Sequence, residues 1–446
     1  MHNLRWPLLK MDKEICMTFT KRPFIRCGLL ASGALSLLMA SLVQADEWQI
    51  SLGTEVRYFP GDGLYENAGD RWAFNLEVEN HWSVLNDSDY PLYINLHGQF
   101  RQAAATADDD RNRVDFPALN LAQFRDGWEW TLGMDKLFWG VAESQNLVNI
   151  VNQTDLQASP DGKDRLGQWM ARTSWHHDTF GSWDFLLLPH FRARDFSNSR
   201  SRLALPLPVL GRDAYESGDG DNHLDFASRW SHQWGDLTTG LSYFNGTSRA
   251  PDLQLVIDNT HPSQPLVLQP FYAQIEHTGF DAQWILGEWL LKAEAIYQTS
   301  HSGHYWASIS GVEYTFGQIM DTSYDLSWYL EYLYDDRQAQ APAGVLENDW
   351  MLAARLSFND EASSSLLVAV FRDAEADETI VKCEGSYRLS DHLSLGLELW
   401  TFATGPSYSR DPVTRIPAQI VDTATYGKQA LLNDEDFLQL SVTYYF

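Results

Sequence analysis

The sequence has 446 residues, a formal net charge of −28 and 13% aromatic residues, and these values already exclude some classes of protein. Acidic residues outnumber basic residues by 60 to 32, so the chain would repel a phosphate backbone, and no basic cluster offsets that repulsion. A hydrophobic share of 44% is too high for intrinsic disorder. We therefore expect a folded protein with no nucleic-acid partner. The length alone leaves the number of domains open.

The first 45 residues have the features of a secretory signal peptide. Three basic residues within 21–26 precede the apolar stretch 28–43, and the small residue Ala45 comes directly before an acidic pair. A positive region, an apolar region and a small residue, in that order, are typical of a cleaved signal. The apolar stretch is also shorter than the ~20 residues that a membrane-spanning helix needs. We predict cleavage after Ala45, which leaves residues 46–446 as the mature protein.

The mature chain would retain a single cysteine. Cys16 and Cys27 lie in the predicted signal peptide, so Cys383 is alone and no intramolecular disulfide can form. Cleavage also leaves 26 basic and 58 acidic residues, a net charge of −32. After residue 43, no stretch approaches 18 uninterrupted apolar residues. The mature chain is therefore predicted to be neither a disulfide scaffold nor a helical membrane protein.

Segments of about ten residues instead alternate between apolar and polar positions. In 437–446 the even-numbered positions are apolar or aromatic, and the odd-numbered ones from Gln439 onwards are polar or tyrosine. Segments that begin near Trp289, Asp325 and Asn348 alternate in the same way, with aromatic residues near their ends. A soluble β-sandwich also alternates. The aromatic ends and the lack of a disulfide framework favour strands with one lipid face and one water face, which can span a bilayer only as a closed barrel.

Eighteen such segments can be counted. They begin near Trp48, Trp72, Pro91, Val114, Trp128, Gly167, Trp183, His223, Leu237, Phe271, Trp289, His304, Asp325, Asn348, Ser365, Thr379, Leu393 and Asp436. Long connections follow odd-numbered segments, as at 140–166, 193–222, 247–268 and 403–433. Tight turns follow most even-numbered ones. We predict one all-β, closed antiparallel transmembrane β-barrel of about 18 strands, with 16 as the alternative, short periplasmic turns and long extracellular loops.

Several stretches resemble a widespread family of uncharacterised, porin-like outer-membrane proteins of Gram-negative bacteria. These stretches are GMDKLFWG at 133–140, NLVNIVN at 146–152, GEWLLKAEAIY at 287–297, GVEYTF at 311–316, EYLYDDR at 331–337 and DEDFLQL at 434–440. The resemblance implies an outer-membrane barrel fold. It implies no substrate and no catalytic residue.

The connection 140–166 follows the fifth segment, the position at which general porins fold a loop into the lumen. Its polar residues can line a constriction and set pore selectivity. They are Glu143, Asn146, Asn149, Asn152, Asp155, Asp161, Lys163, Asp164 and Arg165. The alternative is a surface loop capped by its own asparagine side chains. We predict that the loop folds inward and that the pore is weakly cation-selective.

Alternation also places two sets of charged residues on the inward faces. The basic set is Arg101, Arg192, Arg194, Arg229, Lys292, Arg355, Lys382 and Arg388. The acidic set is Glu129, Glu294, Glu313, Glu331, Glu384 and Glu398. These rows either create a field that orients permeating solutes or form ion pairs that prop or plug the barrel. For Lys292 and Glu294, two residues apart on one face, local pairing is the expected role.

Catalytic and metal sites are predicted to be absent. The acidic runs 108–110 and 219–221 do not fit a full calcium-loop pattern, and His301 with His304 offers only two ligands. His81 and Ser83 share a face of one segment, but no orienting group or oxyanion site accompanies them. We expect no enzyme activity, no metal and no cofactor.

We therefore predict an outer-membrane channel for passive passage of small hydrophilic or amphipathic solutes. The alternative is a plugged barrel with a structural or export-partner role. Expected partners are outer-membrane lipid, lipopolysaccharide and the barrel-assembly machinery. Tyr444 and Phe446, on the lipid face of the last segment, are the expected assembly signal.

Overall fold

The structure is a computed structural model. It describes residues 44–45, 48–61, 72–83, 90–103, 112–197, 202, 205, 207–260, 266–337, 346–360, 364–403, 432 and 435–446. The predicted signal peptide, apart from residues 44–45, and the acidic run 108–110 lie outside them. So do the side chains of His81 and Ser83.

Eighteen strands of the described chain form the wall of a barrel, and we number them in chain order. They are β1 (Gln49–Tyr58), β2 (Trp72–Ser83), β3 (Leu92–Ala103), β4 (Arg113–Arg125), β5 (Trp128–Asp135), β6 (Gln168–His177), β7 (Gly181–Leu188), β8 (Asp225–Trp234), β9 (Leu237–Thr247), β10 (Gln274–Leu286), β11 (Trp289–Ser300), β12 (Gly303–Phe316), β13 (Asp325–Asp335), β14 (Asn348–Ser357), β15 (Ser365–Asp373), β16 (Thr379–Ser390), β17 (Leu393–Ala403) and β18 (Phe437–Tyr445). Each begins within three residues of a start predicted from the sequence.

Every strand pairs antiparallel with the next one along the chain, and the last pairs with the first. The closing pair runs from Ser51 opposite Tyr445 to Tyr58 opposite Leu438. Because β18 meets β1, the barrel has no free edge, as spanning a bilayer requires. The predicted closed antiparallel barrel is confirmed, with eighteen strands and not the alternative sixteen. Among the described residues, no helix is both long enough and apolar enough to span a membrane.

The wall has an apolar outer face and a largely polar inner face. In β13, Trp328 and Leu330 are more than 40% exposed on the outside, whereas Ser327 and Glu331 are buried on the inside. The other strands repeat this pattern. The outer face is thus an apolar surface bordered by aromatic side chains, which is the surface of a transmembrane β-barrel.

Connections differ between the two ends of the barrel. Those after odd-numbered strands lie at one end and include the longest, so we call it the long-loop end; 301–302, after β11, is a short exception. Those after even-numbered strands lie at the opposite, short-turn end. Between β4 and β5, Asp126 and Gly127 have φ angles of 50° and 82°, the left-handed pair that a two-residue hairpin turn needs.

The interior contains residues 136–167, which we call the inserted loop. Its Val148 and Val151 are fully buried against inward-facing apolar residues of β6 to β12, among them Met170 and Phe244. A second interior cluster extends from β12 to β18, and Ala142 and Leu147 of the loop pack on it. The inner face is therefore less polar than alternation predicted, because protein instead of water covers part of it.

Candidate functional site

The inserted loop is closed at its neck by Asn152, which is fully buried. Its amide group donates to the backbone oxygens of Asp135 and Leu166 at 2.9 and 2.8 Å, and its side-chain oxygen accepts the amide of Leu137 at 3.0 Å. Next to the neck, Thr154 and Arg165 form an antiparallel bridge. The two arms of the loop are therefore fastened together where the loop leaves the wall.

Glu294 of β11 holds the loop from inside the barrel. One carboxylate oxygen accepts the amides of Val141 and Ala142 at 2.7 and 3.0 Å, and the other accepts the amide of Leu147 at 2.7 Å. A Cβ atom at Gly140 would lie 2.7 Å from that carboxylate, so glycine is needed there. The buried charge is thus solvated by the loop backbone.

Glu331 of β13 holds the loop a few residues further on. Its two oxygens accept the amides of Glu143 and Ser144 at 2.8 and 2.9 Å, and the Ser144 hydroxyl donates a third bond at 2.5 Å. Glu331 is 1% exposed, so these donors replace the water that the carboxylate lost on burial. Two wall carboxylates therefore fix the course of residues 141–148.

Ion pairs and a hydroxyl contact join the far part of the loop to the opposite wall. Lys382 of β16 contacts Asp161 at 2.7 Å, and Arg355 of β14 contacts Glu143 at 2.9 Å. Ser159 donates to Glu398 of β17 at 3.1 Å. The loop consequently crosses the interior from β5 to β17.

The Lys382 contact influences the charge of Asp161. Burial alone would raise the pKa of Asp161, but the Lys382 ammonium, with help from the Lys163 amide and charge, lowers it below its usual range. Lys163 also reaches Glu143, with its ammonium 3.4 Å from the carboxylate. Asp161 therefore stays ionised at neutral pH.

A cavity of about 280 Å³, which we call cavity A, separates one side of the loop from the wall. Its charged lining residues are Glu55, Glu77, Arg101, Arg113, Asp115, Lys136, Asp155, Asp164, Arg165 and Glu398. A second cavity of about 370 Å³, cavity B, adjoins it. The charged residues of cavity B are Glu143, Asp161, Lys163, Asp164, Arg355, Lys382, Glu384 and Glu398. Ser159, Asp164, Glu398 and Gln439 line both, so the two cavities meet at these residues.

A third cavity of about 300 Å³, cavity C, lies at the short-turn end and is lined by residues that include Ser386, Arg388, Ser394 and Tyr445. Along β16, the inward residues pass from Glu384 in cavity B to Arg388 in cavity C, where the guanidinium lies over the Tyr445 ring. Cavities A, B and C thus follow one side of the interior toward the short-turn end.

Taken together, the linings of cavities A and B have a small excess of acidic side chains. Their lining contains seven basic and nine acidic side chains among the described residues. Several are neutralised in pairs, including Arg113 with Asp155 and Lys382 with Asp161. The local excess is therefore small compared with the net charge of the whole chain.

Other predicted charged residues of the wall form contacts with neighbouring wall residues. Arg229 binds Asp281 through two bonds of 2.6 and 2.9 Å. Arg172 contacts Glu129, a pairing that the sequence analysis did not identify. Glu398 also accepts the indole N–H of Trp400 at 2.7 Å.

The predicted local pair of Lys292 and Glu294 is wrong. Lys292 contacts Glu313 on the neighbouring strand β12 at 2.8 Å, while Glu294 accepts backbone amides of the loop. The reason is geometric, because a diagonal partner on the next strand is as close as a residue two positions along the same strand. Of the loop asparagines, Asn146 donates to Glu294 at 3.3 Å, and Asn149 is 5% exposed.

Arg192 and Arg194 lie beyond β7 and not on its inward face as predicted. The strand ends at Leu188 because Pro189 has no amide proton to donate to the sheet. Both residues nevertheless turn toward the barrel interior. Arg192 contacts Asp115 at 2.6 Å, and the Arg194 guanidinium donates to the Gln153 side chain of the inserted loop at 3.4 Å.

Of the candidate metal ligands, the two histidines and the acidic run 219–221 lie within the described residues. His301 lies 3.6 Å from Glu216, and the His304 ring packs 5.8 Å from the ring of Tyr297. Asp221 accepts a bond from Asn222 at 2.8 Å. Within the described ranges, no group of three or more potential ligands could hold a metal.

Sequence reasoning missed several residues of the site. Ser144, Ser159, Arg113 and Asp115 contact charged residues in the interior, yet none stood out in the sequence. Asp115 lies on the inward face of β4, so strand alternation was the signal that could have identified it. The two serines carry no comparable signal, because their roles depend on where the loop crosses the lumen.

No protein-family model matches the chain, and no curated protein matches it. Among solved structures, it is similar to the in-vitro folded outer-membrane protein OmpT of Vibrio cholerae in its trimer form, at 12% identity, with a TM-score of 0.40 over 91% of this chain and 99% of that one. It is also similar to a mutant of the Rh. blastica porin, at 12% identity, with a TM-score of 0.40 over 90% and 99% of the two chains.

The chain's own strand pairing and inserted loop define the class of protein. It is a closed transmembrane β-barrel of eighteen strands, with a loop fastened across its interior and charged cavities beside that loop.

Proposed function

We propose that this barrel is an outer-membrane channel for the passive passage of small hydrophilic or amphipathic solutes. The observation that carries the proposal is the row of cavities A, B and C beside the inserted loop. Each has room for several water molecules, which occupy about 30 Å³ apiece in the liquid. Their linings are polar and charged, as a path for hydrated solutes requires.

The inserted loop is the constriction in this proposal. It closes the side of the lumen that faces β6 to β12, where Val148 and Val151 are fully buried. The passage is left on the side of β1 to β4 and β14 to β18, which lines cavities A and B. Asp161, Lys163, Asp164 and Arg165 of the loop face this passage. A solute would therefore pass between these side chains and the wall.

Weak cation selectivity follows from the charges nearest this path. Cavities A and B have nine acidic and seven basic residues, and Glu384 is half exposed although it contacts Lys382. Loop charges further away are screened over a Debye length of ~8 Å in physiological salt. We therefore expect the cavity residues, not the net charge of the chain, to set the selectivity.

The second candidate is a plugged barrel with a structural or export-partner role. The apolar cluster between β12 and β18 favours it, because Leu333, Phe371 and Phe402 are buried near the long-loop end of the interior. A barrel sealed there would insert into membranes and carry no current. The long-loop end is extracellular in both candidates.

Lipid and lipopolysaccharide are the proposed partners of the outer face. Its exposed Trp and Leu side chains suit acyl chains, and aromatic residues at strand ends suit the interface. The terminal strand is the proposed contact for the barrel-assembly machinery. Tyr444 and Phe446 are 43% and 68% exposed on its outer side.

Planar-bilayer recording of the purified protein tests the channel. We expect resolved open-channel steps in KCl, and Ser441→Trp, which fills cavity B, should lower their size at least twofold. Val442→Trp, one residue along β18 and on the lipid face, is the matched control and should leave the steps unchanged. Silent membranes with correctly folded protein would support the plugged barrel. Equal steps in both variants would exclude cavity B from the conducting path.

A further inference from the structure

In cavity A, basic side chains and the Asp164 carboxylate lie at opposite ends. Arg101 and Arg113 lie opposite each other near the long-loop ends of β3 and β4, and Lys136 follows the same end of β5. Asp164 lies where cavity A meets cavity B, together with Ser159. Arg113 is paired with Asp155 and Asp195, so among the described residues the uncompensated positive charge toward the long-loop end is that of Lys136, whereas Asp164 places negative charge toward cavity B.

Arg165 lines cavity A without a carboxylate partner in the described structure. Its guanidinium donates to the Thr154 hydroxyl, and its buried Nε–H has no acceptor among the described residues. The bridge to Thr154 fixes the backbone of Arg165, and the bond to the Thr154 hydroxyl holds its guanidinium in place. A buried donor without an acceptor is costly, and an anion in the cavity would remove part of that cost.

A second guanidinium strengthens the positive field around Arg165. Arg194 donates to the neutral oxygens of Gln153 and Arg249 at 3.4 and 3.0 Å and forms no ion pair in the described structure. Burial, followed by the Arg194 charge, lowers the pKa of Arg165 to about 10, against the opposing effect of the nearby Asp161 and Asp164 carboxylates. Both side chains remain cationic at neutral pH, and neither is neutralised by a carboxylate at ion-pair distance.

Two further charges in the same cavity are also unpaired within the described ranges. The Lys136 ammonium and the Asp164 carboxylate each line cavity A, and no ion pair involves either group. Most of the other carboxylates are engaged. Asp155 contacts Arg113, and Asp115 contacts Arg192.

We propose that cavity A binds a small zwitterionic solute, with the solute's carboxylate at Arg165 and Lys136 and its ammonium group at Asp164. This inference rests on the proposed channel function and names the class of solute that the channel prefers. An amino acid has the required chemistry. The volume of about 280 Å³ is near the lower end of small-molecule sites, which limits the solute to a small one.

A zwitterion fits this cavity better than a simple ion. An anion alone would meet Arg165 but leave its other end beside Asp164, and a cation alone would meet Asp164 under the field of Arg165 and Lys136. A molecule with both charges complements both ends. The arrangement would also orient the solute, with its carboxylate toward the long-loop end.

Isothermal titration calorimetry on the full protein in detergent tests solute binding independently of conduction. The probes are L-glutamine, its analogue glutaramate, which lacks the ammonium group, and L-glutaminamide, which lacks the carboxylate. We expect L-glutamine to bind with a millimolar dissociation constant and each analogue to bind at least tenfold more weakly. Parallel bilayer recording reports whether the same preparation conducts, so failure of the channel and failure of the site are distinguishable.

Variants assign the two ends of the site. Arg165→Met and Asp164→Asn should each weaken glutamine binding about tenfold, since each removes one charge-assisted contact. Arg372→Gln, an exposed residue that pairs with Asp377 outside the lumen, is the control and should bind glutamine normally. Conducting protein that binds no glutamine would overturn the proposal. So would glutaramate binding as strongly as glutamine with Asp164→Asn unchanged, because cavity A would then be an anion site only.

Discussion

Ser144 donates both its backbone amide and its hydroxyl to the same carboxylate oxygen of Glu331, at 2.9 and 2.5 Å. The two residues are 187 positions apart in the chain, and one belongs to the inserted loop while the other belongs to the wall. With Glu294, this contact defines how the loop lies in the lumen. The position of the loop is thus set by acidic side chains that receive backbone donors.

The first prediction concerns Glu294→Gln. The glutamine amide would turn an N–H group toward the donors on one side of the loop, so at least one backbone amide loses its acceptor. Bonds to a charged group contribute about 1.5–3 kcal/mol, and we expect a loss of unfolding free energy of about 3 kcal/mol. We also expect a larger and noisier single-channel conductance as the loop loosens.

Glu276→Gln is the control for this change, because Glu276 lies on the neighbouring strand β10 and is exposed. Denaturant unfolding in detergent and bilayer recording give the two readouts. A Glu294→Gln protein with normal stability and normal conductance would show that the carboxylate does not restrain the loop.

The second prediction concerns Lys382→Met. Loss of this ammonium leaves Asp161 and Glu384 without their cation beside cavity B. Cation selectivity should therefore rise, and the reversal potential in a KCl gradient should move toward the value of a perfectly cation-selective pore. The opposite change, Asp161→Asn, should lower the cation selectivity. A shift toward anions in Lys382→Met would place the conducting path elsewhere.

The third prediction concerns pH. Burial, followed by the charges of Asp161 and Asp155, raises the pKa of Asp164 above the usual range of an aspartate. Asp164 therefore takes up a proton at a higher pH than an ordinary carboxyl, and cation selectivity should begin to fall at a higher pH than ordinary carboxyl groups would cause. Reversal potentials between pH 7.5 and 4 measure this change, and Asp164→Asn should flatten its upper part.

The same shift has a consequence for stability. A carboxyl group whose pKa is raised by folding favours the folded state while it is protonated, and this contribution is lost as the pH rises through the raised pKa. Asp164→Asn should accordingly keep or improve stability at pH 7.5. A clear destabilisation there would mean that the ionised carboxylate makes favourable contacts.

The fourth prediction concerns the terminal strand. Phe446 packs edge-on against Tyr444 at 5.0 Å, and its amide donates to the Ile50 oxygen at 3.0 Å. Phe446→Ala should lower the amount of protein in the outer membrane several-fold, measured in fractionated cells. Phe316→Ala, which removes another outward-facing aromatic ring at the same end of the barrel, should not. Equal amounts of both variants would exclude Phe446 as an assembly signal.

The strands could be predicted from the sequence because lipid and lumen act on alternate residues. Trp328 and Leu330 must suit lipid while Glu331 between them does not, and this contrast repeats in each strand. The ends of the strands depend instead on the chemistry of individual residues. Pro189 ended β7 early, and Asp126 with Gly127 set a tight turn.

The contacts of the site could not be predicted in the same way. Lys292 has carboxylates within reach on its own strand and on the next, and only the register between β11 and β12 selects Glu313. The buried interior clusters were also missed. Met351 occupies an inward position that alternation assigns to water, but it is 1% exposed because it belongs to the apolar cluster on which Leu147 packs.

The dependence of the inserted loop on Glu294 and Glu331 has a consequence for biogenesis. The loop ends at residue 167, whereas its carboxylate acceptors, residues 294 and 331, are synthesised well after it. During assembly, the backbone amides of residues 141–148 therefore have no carboxylate acceptor until β11 and β13 are in place. The lumen narrows only after that step. An N-terminal fragment that ends before β11 would contain the loop but lack both carboxylates that hold it in the lumen.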